Sequence, residues 1–313
     1  MTVPVVIDTD PGIDDAIAIM LAAASPEVDV LAITAVSGNV GLDHTTANAC
    51  ALADLVGLDV PVGRGAAGPL WRRDTAAAED VHGRNGLGGH VLPSSARATE
   101  PAVPLLHRVV EDSAEPVTLV TIGPLTNVAL LMAAHPETAR KIDRIVMMGG
   151  AFRALGNRTP TAEFNIWFDP DAAARVVDFG VPITMVGLDV TQQCRLYDAD
   201  VAPLVASGGP IAETVLAILR SGDADARHGL AAGAMQHDAL AMAAVIRPDL
   251  LELERFHVDV ENAGRLTSGM TVVDHRRSTG HPENVDLAVG VDAPAFLELL
   301  VSRLVDLDGR LSA

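Results

Sequence analysis

The stretch Val5-Val6-Ile7-Asp8-Thr9-Asp10-Pro11-Gly12-Ile13-Asp14-Asp15-Ala16-Ile17-Ala18-Ile19-Met20 decides how this chain folds. Its opening run is apolar at every position, as a strand buried on both faces must be, because neither side meets water. The run ends at Asp8, a turn carries Asp10, Pro11 and Gly12, and a helical pattern begins at Asp14–Asp15. A dinucleotide-binding turn here would be rich in glycine, leaving amides free to meet a pyrophosphate. Instead, four carboxylates crowd residues 8–15, and such a crowd repels phosphate. Asp14 as an N-cap and Asp15 as a first-turn acid are accounted for by helix chemistry alone. Asp8 and Asp10 are not. A hard divalent cation with oxygen ligands, Ca²⁺ or Mg²⁺, is the simplest partner for the whole group.

Outward from this turn the same alternation repeats. Apolar, β-branched runs at 3–8, 28–36, 117–122, 142–148 and 183–188 read as strands. Between them, helical patterns cover 14–24, 44–56, 101–113, 125–134 and 170–179. Strand and helix in alternation imply an α/β fold: a mostly parallel central sheet with right-handed crossovers and helices on both faces. Ligands in such sheets bind beyond the carboxyl ends of the strands. The second half is less regular, with helices expected at 211–221, 237–246 and 293–305 and strands at 256–260, 270–274 and 286–289. There is no long linker, repeat or low-complexity tract, so one domain over 1–313 is expected.

Composition narrows the function. The chain has 313 residues, 49% of them apolar and only 3% aromatic, so its core is expected to rest on Ala, Val, Leu and Ile. A net charge of −19 repels nucleic-acid backbones, which argues against such a partner. No apolar run reaches the roughly 18 residues that span a bilayer. The N-terminal residues show no basic leader or small-residue cleavage site, and a cytoplasmic protein is the expectation. Cys50 and Cys194 are too few for a disulfide framework or a cysteine metal cage. Lys141 is the only lysine and follows no glycine-rich phosphate loop, so Schiff-base and Walker-type ATPase chemistry have no support.

With these residues in view, DTDPGIDDA (8–16) resembles the N-terminal signature of the inosine-uridine-preferring nucleoside hydrolases. The resemblance continues in TIGPLTN (121–127), IVMMGGAF (145–152), TAEFNIWFDP (161–170) and HDALA (237–241). It implies Ca²⁺ held by Asp10, Asp15, Asp238 and the main-chain carbonyl of Ile122, with Asp8 supporting the loop from behind. It implies that Asp10 is the general base for a water attacking C1′ of the ribose, through an oxocarbenium-like transition state. Asp14, Asn39, Glu163 and Asn165 match the ribose-gripping residues, with Asn157 and the Met148 backbone nearby. Side chains two apart on an extended segment share a face, so Glu163 and Asn165 are expected to converge on one ligand. His237 matches an acid for the leaving base, and His82 sits in a loop that often approaches the base. Free ribonucleosides are the implied substrates, and a homodimer or homotetramer the implied assembly.

The segment 221–236 matches a helix that often brings aromatic residues to the base, yet it contains none and offers Arg227, His228 and Met235 instead. Base preference is therefore open from the residues alone. Two other readings fit parts of the chain. A haloacid-dehalogenase-type Mg²⁺ phosphatase would use Asp8 and Asp10, but it needs Lys141 and leaves EFN and HD without a role. A Ca²⁺-dependent ribonucleoside-binding protein without turnover has every site residue to explain.

Overall fold

The computed structural model describes residues 2–72, 77–221 and 229–312. The first half runs β1 (Val3–Thr9), α1 (Ile13–Ala24), β2 (Val28–Ala35), α2 (Leu42–Leu55), β3 (Val62–Arg64), α3 (Glu79–His82) and β4 (Thr99–Pro101). It continues with α4 (Ala102–Asp112), β5 (Thr118–Thr121), α5 (Thr126–Ala134), α6 (Pro136–Ala139), β6 (Arg144–Met148), α7 (Phe164–Phe168) and α8 (Pro170–Asp178). Next come β7 (Ile183–Val186), α9 (Leu188–Thr191), β8 (Arg195–Leu196), α10 (Ala202–Ser207), α11 (Pro210–Ser221), β9 (Ala234–Met235) and α12 (His237–Ile246). The chain closes through β10 (Leu251–Phe256), β11 (Val258–Val260), β12 (Thr271–Val273), β13 (Val285–Val291) and α13 (Ala293–Ser312).

Among the described residues, nine strands form one sheet in the order β10-β13-β7-β6-β5-β1-β2-β3-β4. Every pairing in it is parallel except that of β10 with β13. The α/β architecture with a mostly parallel sheet is as expected. Each strand alternates its side chains between two cores. Val5 and Ile7 face the layer of α1, α2, α11, α12 and α13. Val6 faces the layer of α4, α5 and α8, the same period-two division that splits Val146 and Met148 from Ile145 and Met147 on β6.

The strand order fixes where a ligand can bind. From β1 the chain builds outward to β4, then returns to β5 on the other side of β1 and builds toward β13. The connections leaving the carboxyl ends of β1 and β5 therefore diverge, and a crevice opens between them. Asp8 pairs in register with Thr121 across that seam, and the Ile122 amide donates to the Asp8 carbonyl at 2.8 Å.

Several expectations in the second half needed revision. The apolar run at 256–260 divides at His257: β10 stays in the main sheet while β11 leaves it to pair with β12. β12 is thus a separate ribbon strand, and α13 runs past Val305 to Ser312. Strands β3 and β4 are three residues each, too short for a periodic signal.

Candidate active site

The acidic turn is organised around Asp15. It stands at the third position of α1 and accepts from the Gly12 amide at 2.9 Å and the Asp10 amide at 3.2 Å. Thr9 Oγ1 donates to it at 2.6 Å and Asn39 Nδ2 at 3.0 Å. The loop after β2 thus meets the loop after β1: the Asn39 amide also donates to Asp10 Oδ2 at 2.6 Å, and Asn39 Nδ2 to the Asp10 carbonyl at 3.2 Å. Among the described residues, Asp10 Oδ1 is buried with no hydrogen-bond partner. Asp8 lies deeper, where Thr34 Oγ1 donates to it at 2.5 Å and Asn127 Nδ2 at 2.8 Å.

Asp238 comes from more than two hundred residues away. It occupies the first turn of α12, a helix whose Ala239, Ala241, Ala243 and Ala244 are buried, and α12 packs against the equally Ala-rich α1. Small side chains let the two backbones approach, so both helix N-termini, positive by their dipoles, face one cluster of acids. Oxygens of Asp14, Asp15 and Asp238 lie within 4.8 Å of one another.

The electrostatics follow from burial. Desolvation, then repulsion from Asp15, holds Asp10 well above the ordinary carboxylate range. Desolvation, then the charges of Asp14, Asp15 and Asp10, does the same to Asp238. Burial raises Asp15 as well, and it lifts Asp8 and Asp14 each to about 7. Acids kept this close without a counterion must hold protons. Hard cations bound by carboxylate oxygens at about 2.3–2.6 Å need the ligand spacing that Asp14, Asp15 and Asp238 present. The donor set fits a divalent cation, and the unpartnered Asp10 oxygen is a fourth acceptor close by.

A cavity of about 440 Å³ opens above the cluster. Asp14, Asn39, Ile122, Met148, Asn157, Glu163, Asn165, Asp238, His82 and His237 all line it, while Asp10 and Asp15 lie beneath its surface. The reason for convergence at Glu163 and Asn165 differs from the expected one. The segment is not extended: Glu163 is the N-cap of α7 and Asn165 lies inside that helix. Glu163 accepts from the Asn165, Ile166 and Gly150 amides at 2.9, 3.2 and 3.1 Å. Asn165 Nδ2 donates to the carbonyls of Ile122 at 3.0 Å and Met148 at 3.1 Å, so it braces the strand ends of β5 and β6. Asn157 Oδ1 accepts from the Phe164 amide at 2.9 Å.

The two histidines come from different elements. His82, at the end of α3, accepts at Nδ1 from the Ile13 amide at 3.1 Å. A backbone N–H only donates, so the neutral ring carries its proton on Nε2. Gly12 leaves room for this ring, since a Cβ there would collide with it. His237 opens α12, and its Nδ1 lies 2.7 Å from Thr191 Oγ1. Of the 221–236 segment, residues 222–228 lie outside the described residues, and Arg227 and His228 with them. Gly229–Gln236 forms a short 3-10 turn and β9, and Met235 lines the cavity.

Sequence reasoning missed Val81, Arg158, Phe164, Gln192 and Leu219, which also line the cavity. Phe164 and Arg158 are neighbours of named site residues and were legible by adjacency. Gln192 and Leu219 carry no motif. Trp167 lies on α7, two residues past Asn165, with the Arg158 guanidinium 4.7 Å and that of Arg72 5.8 Å from its ring. Lys141 pairs with Glu111 at 2.5 Å on the surface, away from any chemistry. Among the described residues no helix is long and apolar enough to cross a membrane.

Comparison with known proteins gives this geometry a lineage. Residues 5–298 match the family described as inosine-uridine preferring nucleoside hydrolase. The pyrimidine-specific ribonucleoside hydrolases RihA of Citrobacter koseri and Salmonella typhimurium are 46% and 44% identical; each match covers 97% of this chain and 98% or 99% of theirs. Among solved structures, a purine-preferring ribonucleoside hydrolase from Gardnerella vaginalis superposes with a TM-score of 0.90 at 32% identity, covering 97% of this chain and 99% of its own. An inosine-guanosine nucleoside hydrolase does so at 0.89 and 31%, covering 98% of each chain. The phosphatase and binding-only readings fall with these matches. The chain belongs to the inosine-uridine preferring nucleoside hydrolase family, and it is a ribonucleoside hydrolase acting on N-glycosyl bonds.

Proposed function

We propose that this enzyme is a Ca²⁺-dependent, pyrimidine-preferring ribonucleoside hydrolase that releases free base and ribose. The carrying observation is the convergence of carboxylates from α1 and α12 at the sheet's switch point, beside Asp10 with its buried unpartnered oxygen. Asp10, Asp15, Asp238 and the Ile122 carbonyl would hold the cation, a flexible oxygen cage of the kind Ca²⁺ favours. When bound, Ca²⁺ supplies the positive charge that acidifies the attacking water and fixes the ribose hydroxyls.

The chain's own residues do the rest. Asp10 takes the proton from that water as it adds to C1′. Asp14, Asn39, Asn157, Glu163, Asn165 and the Met148 carbonyl orient the ribose, and their polar groups go unpaired against a sugar lacking its hydroxyls. The C1′–N bond breaks with its electron pair on the base, and His237 assists that departure as a donor. His82, with its proton on Nε2 by the Ile13 contact, is a second donor to the base.

The pyrimidine preference rests on the relatives at 44–46% identity, whose printed names specify it. The described base end is compatible, since Val81, Leu219 and Met235 supply apolar walls without a stacking pair of aromatic rings. A single domain, a cytoplasmic location and a homodimer or homotetramer complete the proposal; sedimentation of the purified protein checks the last. The deciding measurement is kcat/KM on uridine, cytidine, inosine and adenosine with and without chelator. We expect a pyrimidine advantage of at least about tenfold, the scale a pocket contact contributes, and loss of all turnover without the cation. Equal rates on purines would overturn the base preference, and full activity in chelator would overturn the metal.

A further inference from the structure

Thr191 is completely buried at the end of α9. Its hydroxyl has one hydrogen-bond partner among the described residues, His237 Nδ1 at 2.7 Å. That contact constrains the Nδ1 side of the ring. If Nδ1 carried the only proton and donated to Oγ1, the threonine hydrogen would be buried with no acceptor, at the cost of a lost hydrogen bond. The hydroxyl therefore donates to Nδ1, and the neutral imidazole keeps its proton on Nε2.

Both sides of this contact are clamped. The Leu188 amide at the start of α9 donates to the Gly150 carbonyl at 2.9 Å. The Asp189 carboxylate accepts from the amides of Phe152, Arg153 and Ala154 at 2.9, 2.8 and 2.8 Å. On the other side, the Gln236 amide donates to the Cys194 carbonyl at 2.9 Å, fixing the residue before His237 to the chain just past Thr191. Threonine and histidine are thus held at hydrogen-bond distance by backbone contacts independent of either side chain.

We propose that Thr191 is a positioning residue: it holds His237 in the tautomer and orientation that aim Nε2–H at the departing base. This rests on the reading of His237 as the group that assists the leaving base. When the C1′–N bond breaks, its electron pair stays on the base and Nε2–H donates a hydrogen bond to the nitrogen that receives it; the ring keeps its proton and stays neutral, and solvent protonates the released base. The threonine hydroxyl stays on Nδ1, so the ring cannot turn a bare nitrogen toward the base.

The test compares Thr191→Val, Thr191→Ser and His237→Ala on uridine and on p-nitrophenyl riboside, whose leaving group departs without protonation. Groups that orient a functional histidine are worth about 10–100-fold, so Thr191→Val should lose that much kcat on uridine, keep its KM, and stay near wild type on p-nitrophenyl riboside. Thr191→Ser should restore uridine turnover. Thr191→Ala, which also lacks the hydroxyl, replaces valine if the valine variant does not fold. If His237→Ala loses both substrates equally, the reading of His237 fails and the proposal goes with it. If His237→Ala separates the substrates but Thr191→Val does not, or if serine fails to restore the rate, Thr191 is a packing residue and the proposal is wrong while His237 stands.

Discussion

The two ends of the cavity are built by different means. The acidic end hangs on strand termini: Asp10 follows β1, Asn39 follows β2, Ile122 follows β5 and Met148 ends β6. Its groups are tied to one another by a dense set of hydrogen bonds, with Asp15 alone accepting four. The end where the proposed function puts the base comes from short elements and loops, α3, the end of α11 and β9, and its described walls are Val81, Leu219 and Met235. Rigid sheet edges hold the chemistry in place, whereas loop segments carry what distinguishes one base from another. Relatives named for pyrimidines and for purines sharing this one fold agree with that division.

The division predicts where damage is severe. Asp10→Ala should show the largest loss, about 10³-fold or more in kcat as a general base is removed, read as reducing sugar released from uridine. A loss under tenfold would show that the acidic end is not where the reaction occurs. Next, 2′-deoxyuridine should fall behind uridine by about 10²–10⁴ in kcat/KM, because the polar grip loses a partner it was built to pair. Comparable rates on the two would mean that the grip is only loop bonding.

A third experiment probes rigidity. Gly123 lies against Asp10, where an added Cβ would sit 2.5 Å from Oδ1 and 3.0 Å from Val36 Cγ1. Gly123→Ala should destabilise the fold by about 1–3 kcal/mol, as overpacking does, and lower activity. An unchanged melting temperature would show that this end yields more easily than its hydrogen bonds suggest. By contrast, Leu219→Ala at the base end should alter the uridine-to-inosine ratio by only about tenfold while leaving p-nitrophenyl riboside turnover intact.

The smallest effect separates the ends by pH. Asp8 and Asp14, lifted to about 7 from an ordinary 3.8, keep protons in the folded chain that the unfolded chain gives up above about pH 4. Folding without cation is therefore favoured at low pH, and that contribution disappears as pH climbs through 7. In chelator, the melting temperature should fall between about pH 5 and 8. Saturating Ca²⁺ should counter the fall, since it binds the deprotonated acids. A melting temperature that rises with pH in chelator would contradict the burial of these groups.

Much of this was legible in the sequence for physical reasons. A strand buried on both faces cannot hide its apolar continuity, so β1, β2, β5, β6 and β7 announced the parallel sheet. Four acids within eight residues have no structural use that helix capping exhausts, so a cation was implied before any coordinates. The blocks around Glu163, Asn165 and Asp238 were legible through family resemblance, while their geometry was not: Glu163 and Asn165 meet through an N-cap and a helical turn rather than an extended segment.

What the residues fixed by themselves was chemistry and periodicity, because charge, hydrophobicity and spacing are local properties. What tertiary structure alone decided was adjacency. The strand order that opens a crevice between β1 and β5, the Ala-lined approach of α12 to α1 that brings Asp238 to Asp14, and the Thr191–His237 contact all join segments far apart in the chain. No local pattern encodes such pairs, since each depends on how whole elements pack around a shared core.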